Sequence, residues 1–278
     1  MRRYGIILLL FAGLPIACGE GSMPEEGEMQ TAVVQTLNFV RSADGLSEGF
    51  DLDGIETTGP DPRTCFKTDF TSPDGQAGVD NELSRLLPII DLAGEGVLSE
   101  LLQNAIDEGR LLMMFEVTRL DQDRARVRVR RGEDLPLLGT DGRLLPGQTL
   151  ALHPTGPDLG EAEGTIVDGR IRIDSFALNV PVVVFSQLYE VFLPEARLTL
   201  HMPAASSEEP AEVIFGGGIP IEQLVTILQT ASNFAREFTE IFGEAVRDSG
   251  DLSPDATGRC TLLSSALKAQ LVSAFIWE

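Results

Sequence analysis

The feature of this sequence that most constrains its fold is a strict alternation of apolar and charged residues in the middle of the chain. In RARVRVRR, which begins at Arg124, alanine or valine occupies every second position and arginine the positions between. A period of two is typical of a β-strand with one buried face. The preceding RLLMMFEVTRL has the same period, and Asp168-Gly169 inside IVDGRI is a strong signal for a hairpin turn. We therefore expect a mostly antiparallel, β-rich region at 110–202.

Segments with helical spacing lie on both sides of this β-rich region. Apolar residues recur every third or fourth position in residues 82–108 and again in residues 219–248. Residues 264–276 alternate once more and predict a final strand. The expected fold is therefore α+β: a single domain at 31–278 in which a mostly antiparallel, sandwich-like β-sheet is flanked by two helical pairs.

The first residues of the chain predict export. Arg2 and Arg3 precede an apolar run, Tyr4 to Ile16, that is too short to span a bilayer comfortably. A short basic region followed by a short apolar region is the pattern of a signal peptide, which we place at residues 1–17.

The segment LPIAC at the end of this run is similar to a bacterial lipobox, in which the cysteine receives a lipid. That cysteine is Cys18, and the one departure from the pattern is Pro15, where a leucine-like residue is usual. We expect Cys18 to be lipidated and residues 18–30 to form an acidic tether, so that the membrane is reached through the N-terminal lipid. Gly19 after the cysteine favours the outer membrane of the cell envelope. An ordinary signal peptide with a chance cysteine is the alternative.

Charge and cysteine usage narrow the classes of function. The chain has 43 acidic and 21 basic residues, and its net charge of -22 disfavours nucleic acid as a partner. If Cys18 carries lipid, Cys65 and Cys260 remain as a pair in an oxidising compartment, and we expect them to form a disulfide. Free, buried cysteines are the alternative.

The candidate site is an acidic segment at 49–81, GFDLDGIETTGPDPRTCFKTDFTSPDGQAGVDN. Its Asp-Gly, Gly-Pro and Ser-Pro pairs are turn signals, and no regular element is expected in it. Calcium binds about six to eight oxygen ligands and tolerates irregular loops, so this segment is a candidate calcium site. The candidate ligands are Asp51, Asp53, Asp74, Asp80 and Asn81. The pattern is not that of an EF-hand, and solvated turns and helix caps are the alternative.

The arginines of the alternating segment form a second candidate site. Arg126, Arg128 and Arg130 share one face of the expected strand, where they could bind phosphate or another anion. The alternative is a solvated face on which they pair with acids of neighbouring strands. The two histidines and the cysteines lack zinc-site spacing, and no phosphate-binding Walker loop is present.

A resemblance to a group of proteins covers residues 49–275. The motifs that carry it are, in order, GFDLDG, a cysteine, SPDG-x-x-GVDN before a leucine-rich helix, DGRLLPGQT, the hairpin IVDGRI, GGGIP and a late cysteine. They resemble uncharacterised lipoproteins from large-genome Gram-negative bacteria. The resemblance implies a secreted lipoprotein with one disulfide-linked, β-rich domain, and it implies no catalytic residue.

The function expected from these observations is that of a non-enzymatic, lipid-anchored envelope protein with a structural or binding role and a candidate calcium site. A protein or glycan partner is left open. Two alternatives belong to other classes: a secreted hydrolase that uses carboxylates, and a carrier of an apolar ligand held between sheet and helices.

Overall fold

The computed structural model describes residues 25–93, 98–156, 158–184, 187–202, 210–230 and 236–277. The expected signal peptide and Cys18 lie outside the described residues. The strands within them are β1 (Met29–Phe39), β2 (Leu112–Arg119), β3 (Arg124–Gly132), β4 (Gln148–Ala151), β5 (Asp158–Val167), β6 (Arg170–Val184), β7 (Gln187–Leu200), β8 (Ala211–Pro220), β9 (Leu252–Pro254) and β10 (Cys260–Trp277). The helices are α1 (Leu83–Ala93), α2 (Leu98–Asp107), α3 (Ile221–Thr230) and α4 (Arg236–Asp248).

Eight of these strands form a closed antiparallel barrel. Their order around the ring is β1, β2, β3, β5, β6, β7, β8 and β10, and β10 then pairs with β1 from Ala32–Ser273 to Phe39–Leu267. The expected sandwich-like sheet flanked by helical pairs is therefore wrong. Alternation shows that a strand has one buried face, but it does not show whether the first and last strands meet. The segment TAVVQTLNFV at 31–40, which contains most of β1, suits a helix as well as a strand, so the role of β1 in closing the sheet has no local signal.

Side chains from alternate strand positions fill the inside of the barrel. Phe115 of β2, Val129 of β3 and Phe215 of β8 are completely buried there. The burial of Val129 agrees with the predicted alternation of β3. Gly217 lets β8 pack closely on β7 in this core, because a Cβ at this position would lie only 3.2 Å from the Cα of Ala196. The interior is thus a packed core.

The helices cover the barrel and do not flank a sandwich. α2 contacts both β1 and β6, which are on opposite sides of the eight-strand ring, so it lies across one end of the barrel. Its residues Leu102, Ala105 and Ile106 are buried. In the described part of the chain, no helix combines the length and the apolar character needed to cross a membrane.

Two short strands extend β10 beyond the ring. β4 pairs in parallel with its last residues, from Gln148–Ala274 to Ala151–Trp277, and β9 pairs with its first residues. β10 therefore has partners on both edges and along its whole length, and it is the strand onto which other segments dock.

The acidic segment packs on the outer face of the barrel, over β8 and β10. Its Phe50 approaches Gly216, where a Cβ would lie 2.4 Å from the carbonyl oxygen of Ser265 and 3.4 Å from the Phe50 ring. Only glycine at position 216 therefore permits both the tight strand pair and this contact. Farther along, Lys268 of β10 forms an ion pair with Glu48 at 2.9 Å.

A disulfide fixes the same segment to the start of β10. Cys65 and Cys260 are bonded, with their Cα atoms 5.9 Å apart and a sequence separation of 195. This confirms the predicted pair. Cys260 is buried, whereas Cys65 follows the 3-10 turn Pro62–Thr64 in a left-handed conformation with φ 49°. The acidic segment is thus tied covalently to the last strand.

Removing this tie should destabilise the protein strongly. In the chain-entropy treatment, closing a loop of this length contributes ~4–5 kcal/mol to the free energy of unfolding. We expect the combined substitutions Cys65→Ser and Cys260→Ser to lower the urea midpoint accordingly. A reductant should lower the wild-type midpoint to a similar extent and leave the variant unchanged. A wild-type midpoint that stays constant after thiol titration has verified reduction would contradict the tie.

Candidate functional site

Three of the five candidate calcium ligands come together. Asp51, Asp53 and Asp80 each offer a carboxylate oxygen, and these oxygens lie within 4.8 Å of one another. Asp51 and Asp53 are half-buried, and Asp80 is only 4% exposed. The three carboxylates thus share one small volume at the edge of the acidic segment.

Local turns and one longer contact hold this arrangement. Asp51 Oδ1 accepts a hydrogen bond from the amide of Gly54 at 2.6 Å, and Asp53 Oδ1 accepts one from Ile55 at 2.8 Å. Asp80 Oδ2 accepts from the amide of Leu52 at 2.6 Å, which ties the turn to residues close to α1. In each case the hydrogen bond uses one of the two carboxylate oxygens. These are the Asp-Gly turns that the sequence suggests, but tertiary contact aims them at one point.

Asp74, the fourth candidate, serves a separate turn. Its Oδ1 accepts a hydrogen bond from the Ser72 hydroxyl, which lowers the pKa of the Asp74 carboxyl, and the Ser72 Oγ in turn accepts from the amide of Gln76 at 2.8 Å. The side chain of Asp74 is exposed. It therefore matches the alternative interpretation, a solvated turn.

Asn81, the fifth candidate, is a structural connector. Its Nδ2 donates to the carbonyl of Val40 at 3.2 Å and to Ser47 Oγ at 2.9 Å, while its Oδ1 accepts from the amide of Ala266 on β10 at 3.2 Å. The residue is 1% exposed. Since both atoms of its amide group are hydrogen-bonded, Asn81 joins the end of the acidic segment to the residues that follow β1 and to β10.

The geometry places Asp80 where it ionises poorly. Burial raises the pKa of Asp80 to about 8, against the hydrogen bond from Leu52, and repulsion from Asp53, Asp251 and Asp69 adds to this. Burial also raises the pKa of Asp53 and of Asp69, with repulsion from neighbouring aspartates in the same direction. A proton or a cation is therefore needed to relieve the charge that collects here.

Asp251 is a residue of this cluster that the sequence did not indicate. It is 5% exposed and accepts a hydrogen bond at 2.8 Å from the amide of Ser264 on β10 and another from the Ser264 hydroxyl. Burial raises its pKa to about 7. Asp251 is distant from the acidic segment in sequence. The one available signal was its position shortly before Cys260, the disulfide partner of Cys65.

A buried glutamate with two basic partners lies beside these acids. Glu82 pairs with Lys67 at 3.8 Å and with Arg85, yet burial still raises the pKa of its carboxyl. Its amide donates to Ser264 Oγ at 2.7 Å. Ser264 therefore connects Glu82 to Asp251 through hydrogen bonds.

The arginines of the second candidate site all pair with acids of neighbouring strands. Arg126 Nη2 lies 2.9 Å from Glu163, Arg128 Nε lies 2.9 Å from Glu161, and Arg130 lies 3.0 Å from Glu116 and 2.9 Å from Asp158. An external anion would have to compete with these carboxylates.

Substituting Asn81 should reveal its structural role. Asn81→Ala removes three buried hydrogen bonds and leaves the Val40 carbonyl and the Ala266 amide without their partner, so we expect a loss of ~2–4 kcal/mol in the free energy of unfolding. Asn38→Ala, at an exposed position on β1, is the matched control and should change it little. Urea denaturation of both variants would measure this, and equal effects would argue against the connector role.

The buried acids predict a pH dependence of stability. Asp80 and Asp251 bind their protons more tightly in the folded than in the unfolded chain. Their contribution to the free energy of unfolding is therefore fully present below the unfolded pKa of about 4. It is lost as the pH rises through about 7 for Asp251 and about 8 for Asp80. In the presence of a chelator we expect the free energy of unfolding to fall from pH 5 to pH 9.

Asp80→Asn should make this fall smaller, because the amide stays neutral throughout. Asp74→Asn should keep the wild-type slope, since Asp74 is ionised over the whole range. A free energy of unfolding that stays level or rises across this range in the wild type would refute the assignment.

Comparison with known proteins adds no relative. The chain matches no protein-family model, no curated protein and no solved structure. The resemblance to secreted lipoproteins therefore stays a prediction from the sequence motifs, and the site is interpreted from its own geometry.

Proposed function

We propose that this protein is a lipid-anchored envelope protein with a structural or binding role, and that its acidic segment binds a divalent cation, with calcium the best fit. The observation that carries the cation proposal is the convergence of Asp51, Asp53 and Asp80 within 4.8 Å. The envelope location rests on the N-terminal sequence, and the disulfide between Cys65 and Cys260 suits an oxidising compartment.

The donor set fits calcium chemically. All three converging groups are carboxylates, the hard oxygen donors that calcium and magnesium prefer over the nitrogen and sulfur ligands of zinc. Three carboxylates can supply about half of the oxygen ligands that calcium requires, and backbone carbonyls and water can supply the others in an irregular loop. The two short turns at Asp51 and Asp53 suit calcium, whose coordination is flexible, better than magnesium, which demands near-octahedral geometry.

The electrostatics give the cation a role. Asp53, Asp69 and Asp80 all have raised pKa values because they are buried together and repel one another. Near them, the Thr57 hydroxyl is buried without a hydrogen-bond partner among the described residues, while the Thr57 amide donates to Asp69. A divalent cation would take the place of the proton on Asp80 and hold the acidic segment against β8 and β10. Its role would thus be structural.

The two alternative functions have less support. A carrier would need an internal cavity, whereas residues such as Phe115, Leu198 and Phe215 fill the barrel. A carboxylate-dependent hydrolase would need two carboxyl groups facing an open cleft. Within the described residues, one cleft of about 410 Å³ lies beside the disulfide, and a single carboxylate, that of Asp248, lines it.

Calcium should stabilise the protein through these three carboxylates. At a concentration of about 100 times Kd, a ligand adds about 2.7 kcal/mol to the free energy of unfolding, which corresponds to a rise of ~5–10 °C in Tm for a chain of this size. We expect this rise in millimolar calcium relative to chelator, measured by calorimetry. The affinity should be higher at pH 8.5 than at pH 6, because Asp80 must lose its proton to bind the cation.

The controls separate the site from general charge screening. Asp53→Asn and Asp80→Asn should abolish the rise in Tm, whereas Asp74→Asn should retain it. Magnesium at the same concentration should produce a smaller rise. The proposal would be refuted by an unchanged Tm in the wild type, or by equal rises in all three variants.

A further inference from the structure

Exposed apolar side chains collect at the C-terminal end of β10 and on the loop that precedes β4. Six of them, which we call the terminal apolar surface, are between 41% and 75% exposed. They are Leu135, Leu137, Leu138, Leu145, Phe275 and Trp277. Single exposed apolar residues are ordinary, but a concentration of large ones marks a surface that meets a partner or a membrane.

The leucine loop is held in place by polar contacts, so the leucines do not fold back into a core. Leu138 and Leu144 form a β-bridge, and the amide of Leu145 donates to the carbonyl of Leu137 at 2.9 Å. The Gln148 side chain accepts from the amide of Leu137 at 2.9 Å and donates to the carbonyl of Leu145 at 2.8 Å. These hydrogen bonds hold the loop backbone in one conformation, with the four leucines exposed.

The loop is joined to the end of β10 that displays the two aromatic residues. The amide of Gly147 donates to the carbonyl of Ser273 at 2.7 Å, and β4 then pairs with residues Ala274 to Trp277. Phe275 and Trp277 are two positions apart on this strand, so their side chains lie on the same face. Phe275 is 63% exposed and Trp277 is 71% exposed.

The chain enters the barrel at the same end. β1 and β10 are antiparallel, and Ala32 pairs with Ser273. The start of β1 at Met29 and the end of β10 at Trp277 therefore lie on the same side of this pair, and Met29 is itself 58% exposed. From Cys18 to Glu25 there are seven peptide steps, which can reach at most ~25 Å when extended.

We propose that the terminal apolar surface rests in the interfacial layer of the bilayer that holds the N-terminal lipid, and so orients the barrel on the membrane. This rests on the proposed lipid anchor. A short tether keeps the surface close to the bilayer. Leucine with tryptophan is a combination suited to the boundary between lipid chains and head groups.

The charge around the surface indicates the kind of lipid. Along the leucine loop Glu133, Asp134 and Asp141 outnumber the one basic residue, Arg143, and the net charge of the chain is -22. Attraction to anionic head groups is therefore disfavoured as the source of binding, and the contact is hydrophobic, with a net-neutral lipid surface such as phosphatidylcholine.

The test uses Trp277, the only tryptophan of the chain. The lipidated full protein is reconstituted in phosphatidylcholine vesicles that contain or lack lipid with brominated acyl chains. We expect emission at shorter wavelength than in water and at least twofold quenching by the brominated lipid. The combined substitutions Leu135→Ser, Leu137→Ser and Leu138→Ser should reduce this quenching by at least half. Ile241→Ser, at a position 71% exposed on α4, is the matched control and should leave it unchanged.

Each other result would overturn the inference in a distinguishable way. If the protein floats with the vesicles but Trp277 is quenched by aqueous acrylamide and not by brominated lipid, the anchor stands and the surface faces water. If Trp277 is shielded from both quenchers and the protein cross-links as a dimer, the surface binds a second copy. If the protein does not float and incorporates no labelled palmitate at Cys18, the proposed anchor fails, and the inference fails with it.

Discussion

The pairing of β1 with β10 is the constraint on which the rest of the structure depends. It joins strands from the two ends of the described chain, from Ala32–Ser273 to Phe39–Leu267, and it turns an open sheet into a ring. Closure gives every strand of the ring a partner on both sides, and alternate side chains then meet in one core. The outer face of β10 is left to receive the acidic segment, and the two ends of β10 pair with β4 and β9. Both the candidate cation site and the terminal apolar surface follow from that strand.

The protein handles clustered charge in two different ways. On β3 each of the arginines at 126, 128 and 130 faces a carboxylate of β2 or β5, so opposite charges offset one another along the sheet. At the candidate cation site, Asp80 of the acidic segment and Asp251, the residue before β9, are buried with other acids, and their pKa values rise to about 8 and about 7. A group of like charges costs stability unless a proton or cation joins it. The cation proposal follows from this imbalance, and it links the stability of the segment to pH.

Part of the candidate site could be predicted from the sequence. Asp51 and Asp53 are separated by one residue and precede a glycine, and this local pattern placed both among the candidate ligands. Asp80 joins them only because its carboxylate accepts the Leu52 amide across the segment. Asp74 is diverted by Ser72, two residues before it, and Asn81 is diverted to β10. Asp251 had no local signal, since its environment comes from Ser264 and from the acidic segment.

The sequence by itself indicated most of the strands and helices, which strand faces are buried, and Cys65 with Cys260 as the candidate disulfide pair. Those properties depend on residue type at short spacing and on the number of cysteines. Only the tertiary structure decided that the sheet closes into a barrel, that α2 lies across one end, and that Asp51, Asp53 and Asp80 converge. The physical reason is that alternation shows that a face is buried but not which segment covers it. That choice depends on contacts between residues far apart in the chain, such as Ala32 with Ser273 and Cys65 with Cys260.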